Sequence, residues 1–264
     1  MAKKFAIFGN PVEHSKSPLM HNAAFKELGF DGEYFKVLLE DGTKLKEKFF
    51  ELNLSGANIT VPHKEAAFRA ADVLDSFAKR VGAVNTLVLK DNKLYGYNTD
   101  APGFVQSIKK YNIKSVLILG AGGTAQAVAP ALRDANYTVE ILNRSSARLA
   151  SFQAENFSCY SFDNFDINKR YDMIVNMTSA GLKDSNLPAP KEILDALFLD
   201  AKVAVDIIYG KDTPFLSLAK SYNLTTADGA QMLVGQGVLA FDYFTQHRYN
   251  LQEVEDIMNK ALKD

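Results

Sequence analysis

The sequence predicts an α/β protein of two domains, and three observations point there. Apolar runs that suit strands alternate with segments whose apolar residues recur at helical spacing. One run, Val116-Leu-Ile-Leu119, leads directly into Gly120-Ala-Gly-Gly-Thr-Ala125, so a strand, a tight turn and a helix follow one another. The 264 residues, 47% of them hydrophobic, suffice for two ordinary cores.

The glycine turn carries the first functional signal. Gly120, Gly122 and Ala125 match G-x-G-x-x-G/A. In that pattern the first glycine makes the turn, the second lets backbone approach a pyrophosphate, and the small third residue packs helix on strand. A bound phosphate would then face free N–H groups and the positive end of the helix dipole. A tight turn of an unrelated α/β protein is the alternative.

Bulk properties narrow the partners. A net charge of -1 gives no polyanion-binding surface, which argues against nucleic acid and anionic membrane and for small molecules. One cysteine, Cys159, rules out an internal disulfide, and four scattered histidines have no ligand spacing, so a cytoplasmic protein without a metal site is expected. No signal-like apolar stretch follows Met1-Ala-Lys-Lys4, and no apolar run approaches bilayer length.

The elements follow in order. Phe5 to Phe8 is a strand ended by Gly9-Asn10-Pro11. A loop with His14-Ser-Lys-Ser-Pro18 precedes a helix to Gly29, with Ser17 placed as N-cap and Pro18 as N1. Ser17 therefore either caps that helix or binds a ligand, whereas Ser15 lies before it. Glu33 to Leu39 is a strand, and Thr43 to Leu52 a helix. Gly56-Ala-Asn-Ile-Thr-Val-Pro-His-Lys64 is a strand turning into a helix. Lys64 at that start opposes the helix dipole, so propensity does not choose it, though an exposed lysine after Pro is also ordinary.

Residues 66 to 81 carry a helical pattern. Leu87 to Leu89 and Leu94 to Tyr97 form a hairpin through Asp91-Asn92. Asn98-Thr-Asp100 precedes a helix to about Tyr111, and Asp100 is placed as its cap. Past the glycine turn the helix runs to about Asp134 with Pro130 inside. Tyr137 to Leu142 is the next strand, and it ends in Asn143-Arg-Ser-Ser-Ala-Arg148. A carboxylate there would suit the 2′-hydroxyl of NAD, whereas two guanidinium groups suit a 2′-phosphate, so the cofactor expected is NADP. Two solvated arginines are the plainer reading.

Asp172 to Asn176 and Lys202 to Ile208 are strands of a doubly covered parallel sheet, whose carboxyl ends would line a ligand cleft. Phe215 to Tyr222 is a helix and Leu224 to Thr226 a short strand. A long helix follows from Ala230. Gln236 lies on it, and if buried must satisfy both ends of its amide.

Taken in order, Ser15-Lys-Ser-Pro18, Asn58-Ile-Thr-Val-Pro-His-Lys64, Gly82-Ala-Val-Asn-Thr86, Asn98-Thr-Asp100, Gly120-Ala-Gly-Gly123, Asn143-Arg-Ser145, Asn176-Met-Thr-Ser179 and Asp228-Gly229 through Gln236 resemble the shikimate dehydrogenase family over nearly the whole chain. The resemblance implies a substrate domain over residues 1–102, joined by C-terminal helices 237–264, and a Rossmann-type NADP domain over residues 103–236, with a cleft between them. It implies reversible NADPH-dependent reduction of 3-dehydroshikimate to shikimate. Lys64 and Asp100 would be the catalytic pair, and Ser15, Ser17, Thr60, Lys64, Asn85, Asp100, Tyr209 and Gln236 would hold shikimate.

The same resemblance assigns Gly120, Ala121, Gly122, Gly123, Thr124, Asn143, Arg144, Ser145, Ser146, Ala147, Arg148, Ile207 and Gly229 to NADP, with no metal ligand. It leaves a homodimer open. Ile207 replaces a Met of other members, so a contact through the thioether is lost while a backbone contact survives. Tyr97 before Asn98 also departs, which leaves the pocket wall open to change. Two alternatives stand: a relative acting on quinate or using NAD, and a non-catalytic NADP-binding sensor. The Lys64 and Asp100 pair speaks against the sensor, which needs no acid–base group.

Overall fold

The computed structural model describes residues 2–263, which fall into two compact units, residues 2–103 with 234–263 and residues 104–233. The α/β class expected from the alternating pattern is the one observed.

The first unit contains β1 (Lys3–Gly9), α1 (Ser17–Glu27), β2 (Gly32–Leu38), α2 (Leu45–Glu51), β3 (Leu54–Ile59), α3 (Lys64–Ala70), β4 (Val73–Leu74), α4 (Ser76–Val81), β5 (Thr86–Lys90) and β6 (Lys93–Tyr97). Helix α5 (Asp100–Ile108) begins there and carries the chain into the second unit. The six strands lie in the order β2-β1-β3-β5-β6-β4, so the apolar β1, buried from Phe5 to Phe8, sits inside the sheet. It pairs in parallel with β2 and β3, whereas β3, β5 and β6 are antiparallel. The β5–β6 hairpin turns at Asp91 and Asn92, both left-handed (φ +49° and +57°), which these residue types tolerate.

The second unit contains β7 (Ser115–Leu119), α6 (Gly123–Asp134), β8 (Thr138–Asn143), α7 (Ala150–Ala154), β9 (Ser158–Ser161), β10 (Met173–Asn176), α8 (Lys191–Phe198), β11 (Val203–Asp206), α9 (Pro214–Ser221) and β12 (Thr225–Ala227). Its six strands are all parallel in the order β12-β11-β10-β7-β8-β9. Counted within this unit, that is the 3-2-1-4-5-6 order of a doubly wound dinucleotide-binding sheet. The crossover leaves β7 in its middle, which explains the fully buried run Val116 to Leu119. Helix α10 (Ala230–Phe244) returns the chain to the first unit, where α11 (Leu251–Ala261) packs on α1. No helix among the described residues is long and apolar enough to cross a membrane.

Three local expectations are corrected. The helical pattern over residues 66 to 81 is broken: α3 stops at Ala70, Val73 and Leu74 pair with Tyr95 and Gly96 of β6, and Asp75 starts α4 by accepting from Ala78 N–H. The Asp72 carboxylate accepts from Leu94 N–H, so two aspartates trade helix continuity for sheet and cap bonds. Second, Lys16 rather than Ser17 is the N-cap of α1, and Ser17 makes no capping bond. It is Ser15 whose hydroxyl accepts from Ser17 N–H, at 3.3 Å. Third, Asp100 is the first residue of α5, with Thr99 C=O receiving Gly103 N–H, and its carboxylate is engaged elsewhere.

Candidate active site

In the first unit Lys64 and Asp100 are brought together by two helix starts. Lys64 Nζ donates to Asp100 Oδ2 at 2.7 Å, with side chains 32% and 19% exposed. The ammonium is thus partly desolvated yet still reachable by a ligand. Its backbone is fixed as well, since Lys64 C=O accepts from Val84 N–H at 3.0 Å. Asn98 Oδ1 accepts from Asp100 N–H, and Asn98 Nδ2 donates to Ala83 C=O. The Gly82–Thr86 and Asn98–Asp100 segments are therefore tied around the pair.

Asn85 is almost fully buried, and its orientation is decided by its partners. Its Oδ1 accepts from Thr99 N–H at 2.7 Å, a group that can only donate, so the oxygen faces inward. Asn85 Nδ2 donates to Thr99 Oγ1 at 3.0 Å, leaving one amide hydrogen free. A ligand meeting Asn85 must therefore offer a lone pair, as a hydroxyl oxygen does. Asn58 continues the network: its Oδ1 accepts from the Tyr34 hydroxyl at 2.7 Å, and its Nδ2 donates to Thr86 Oγ1 at 3.0 Å. Asn58, Thr86, Thr99 and Tyr34 are buried, and sequence reasoning did not single them out as site residues.

The other expected substrate residues are distributed as follows. Thr60 follows β3 directly, and its methyl fills the space that a Cβ at Gly9 would need. Gln236 lies on α10 where that helix crosses α5: a Cβ at Gly103 would stand 2.4 Å from Gln236 N, and one at Gly235 would stand 2.5 Å from Gly103 O. Only glycines permit this approach. Ser15 and Ser17 meet at the start of α1. Tyr209 is in the second unit, 43% exposed, on a loop whose Gly210 N–H is held by Asp228 Oδ2.

In the second unit, Gly120, Ala121, Gly122, Asn143, Arg144, Ser145 and Arg148 line one groove of about 990 Å³, facing Met177 to Ala180 and Asp184 to Lys191. Gly120 has φ +107°, and a Cβ there would stand 2.7 Å from Thr178 Cγ2, so this position requires glycine. Gly122 is the N-cap of α6 and supplies no side-chain cap. A Cβ at Gly122 or Gly123 would meet nothing within 4 Å. The start of α6 thus presents donors to open space that a phosphate can enter.

Arg144 and Arg148 are exposed and, among the described residues, make no ion pair, so their charge is available to an anion. Gly123 and Thr124 open α6, and Ser146 and Ala147 lie in the helical turn that ends at Arg148. These features fit a dinucleotide with an extra phosphate. Ile207 and Gly229 lie away from the groove, lining a cavity of about 10 Å³ with Phe104 and Met232. A Cβ at Gly229 would stand 2.0 Å from Ile207 O, so that glycine is already required by the protein's own packing.

Asp206, fully buried at the end of β11, organises the loops here. It accepts from Asn176 Nδ2 at 3.0 Å, Thr213 Oγ1 at 2.7 Å and Ile208 N–H at 3.0 Å, and burial holds its pKa above the usual carboxylate range. Asn176 Oδ1 in turn accepts from Thr178 N–H and Oγ1. One carboxylate thereby fixes the loops after β10 and β11.

Two family models match the chain. A family described as shikimate dehydrogenase substrate binding domain matches residues 7–87, and one described as shikimate / quinate 5-dehydrogenase matches residues 104–207. The chain is 46% identical to a shikimate dehydrogenase (NADP(+)) of Helicobacter hepaticus, with 98% of each covered. It is 45% identical to that of Helicobacter pylori at the same coverage. Among crystal structures, shikimate dehydrogenase from Aquifex aeolicus superposes with a TM-score of 0.88 at 34% identity, covering 100% of this chain and 98% of that one. Shikimate 5-dehydrogenase from Thermus thermophilus, in complex with NADP(H) and shikimate, gives 0.85 at 34% identity over 98% and 99%.

Proposed function

Since the chain belongs to the shikimate dehydrogenase family, we propose that it catalyses the reversible NADPH-dependent reduction of 3-dehydroshikimate to shikimate, with Lys64 and Asp100 as its acid–base pair. The observation that carries the mechanism is the 2.7 Å ion pair between Lys64 and Asp100.

The cofactor, when bound, supplies or accepts the hydride. The protein's part is the proton and the charge. Reduction turns a ketone oxygen into a developing alkoxide, and the Lys64 ammonium both stabilises that charge and donates a proton from Nζ. In the oxidation direction the neutral amine takes the carbinol proton. Asp100 holds Nζ in place and balances its charge. Asn85, with its oxygen locked inward by Thr99, offers its remaining amide hydrogen to a substrate oxygen. Ser15, Ser17, Thr60, Tyr209 and Gln236 are assigned to the other hydroxyls and the carboxylate.

On the cofactor side, Gly120 to Thr124 would bind the pyrophosphate and Asn143 to Arg148 the adenosine 2′-phosphate, with Ile207 and Gly229 as further NADP contacts. The guanidinium groups of Arg144 and Arg148, without an ion pair among the described residues, favour NADP over NAD. A cytoplasmic location fits the single thiol, Cys159. The direct test is formation of NADPH from NADP and shikimate by the purified protein, run beside quinate and beside NAD. Turnover of quinate but not shikimate would move the assignment to that acid, and absence of turnover with either would overturn it.

A further inference from the structure

Tyr34 belongs to none of the assigned sets, yet it is held at every polar atom. It lies on β2, the edge strand of the first sheet, where backbone groups ordinarily face water. Here Asn22 of α1 takes both: Nδ2 donates to Tyr34 C=O and Oδ1 accepts from Tyr34 N–H, each at 2.8 Å. The ring lies flat on His21, with centroids 4.4 Å apart and planes 1° from parallel. Both ring nitrogens of His21 are buried without a hydrogen-bond partner, so His21 acts as a flat packing surface and competes for no polar atom of Tyr34.

The hydroxyl at the far end of the ring donates to Asn58 Oδ1 at 2.7 Å. Ser17, His21 and Asn22 are all on α1, whereas Asn58 is on β3 and passes the connection to Thr86 Oγ1 and to Asn85 C=O. Tyr34 therefore links the helix that carries Ser17 to β3, which carries Asn58, and through it to Asn85 just before β5.

We propose that Tyr34 is a positioning residue for substrate: held to α1 through Asn22 and His21 and bonded to Asn58 through its hydroxyl, it fixes the separation between α1, which carries Ser17, and the Asn58–Asn85 network, so that both can engage polar groups of one small ligand together. The role rests on the shikimate reading above. Tyr34 does not touch the reacting atoms and moves no proton. Losing its hydroxyl removes the donor to buried Asn58 Oδ1 and cuts the tie between α1 and β3, while the Asn22 clamp and the His21 stack remain.

The test is steady-state kinetics of Tyr34→Phe with both substrates varied. The expected result is a rise of fivefold or more in KM for shikimate, with kcat within threefold and KM for NADP within twofold of wild type. A smaller rise in KM for shikimate overturns the role, and so does a parallel rise in KM for NADP, which marks general loosening. Asn58→Ser removes the acceptor from the other side and is expected to give the same split, which keeps the test decisive if Tyr34→Phe does not fold. Wild-type protein inactive on shikimate would overturn the activity itself. Active wild type with an unchanged Tyr34→Phe variant overturns the positioning role alone.

Discussion

Lys64 Nζ stands 2.7 Å from Asp100 Oδ2, and each residue opens a helix, so two chain reversals 36 residues apart converge on one ion pair. An ion pair this exposed contributes little to stability, about 0–1 kcal/mol for surface pairs. Its value is chemical. Lys64→Ala is therefore expected to lower kcat by about 10²–10⁴, the range for loss of a general acid or base, while leaving the melting temperature and NADPH affinity nearly unchanged. Stopped-assay rates with a parallel fluorescence titration of NADPH check both halves. Turnover within threefold of wild type would remove Lys64 from the mechanism.

Arg144 and Arg148 carry charge that no side chain of the protein neutralises among the described residues. A charge-assisted hydrogen bond is worth about 1.5–3 kcal/mol, which is roughly 10- to 100-fold in affinity. Arg144→Ala is expected to weaken NADPH binding by that factor and to leave NADH binding unchanged, so the preference between them shrinks. Equal loss for both cofactors would place the 2′-phosphate elsewhere.

Two glycines that look alike in sequence predict opposite outcomes. Gly122 has ordinary backbone angles and open space where a Cβ would go, so Gly122→Ala is expected to keep its melting temperature within about 2 °C of wild type, a shift of a few tenths of a kcal/mol. The added methyl would still obstruct a phosphate at the α6 start, and NADPH affinity is expected to fall at least about tenfold. Gly103→Ala forces a Cβ to 2.4 Å from the Gln236 backbone, and overpacking of this kind costs about 1–3 kcal/mol. Thermal unfolding and NADPH titration of both variants separate the two roles, and a destabilised Gly122→Ala would contradict the open site.

The contrast shows what is legible in a chain and what is not. Gly120 and Gly122 announce themselves by spacing, because a turn and a helix start are local events. The hairpin at Asp91-Asn92 and the buried β7 are local in the same way. The Tyr34–Asn58–Asn85–Thr99 network is not: its members come from four separate segments, and each is an ordinary polar residue until the sheet brings them together. The break between α3 and α4 was hidden because Val73 and Leu74 continue an apolar pattern that only β6 converts into strand. Gly229 carries two demands that a motif alone does not separate: beside the cofactor contact proposed for it, Ile207 already requires a glycine there.

His21 supplies a pH dependence of stability that sequence gave no reason to expect. It is fully buried among Tyr34, Phe25, Phe241 and Phe244, with no carboxylate bonded to it, and burial lowers its pKa to about 3. Its unfolded value is near 6.5, so below that pH the unfolded chain takes up a proton that the folded chain refuses. Stability is therefore complete above about pH 6.5 and falls with acidification by about 1.4 kcal/mol per pH unit until pH approaches 3. Replacing His21 with Phe removes this titration without adding a polar group to the aromatic cluster. Urea unfolding between pH 7 and about 4.5 is expected to show a slope in wild type that is reduced by about this amount in His21→Phe. Equal slopes in the two proteins would mean that His21 is protonated, or solvated, in the folded state.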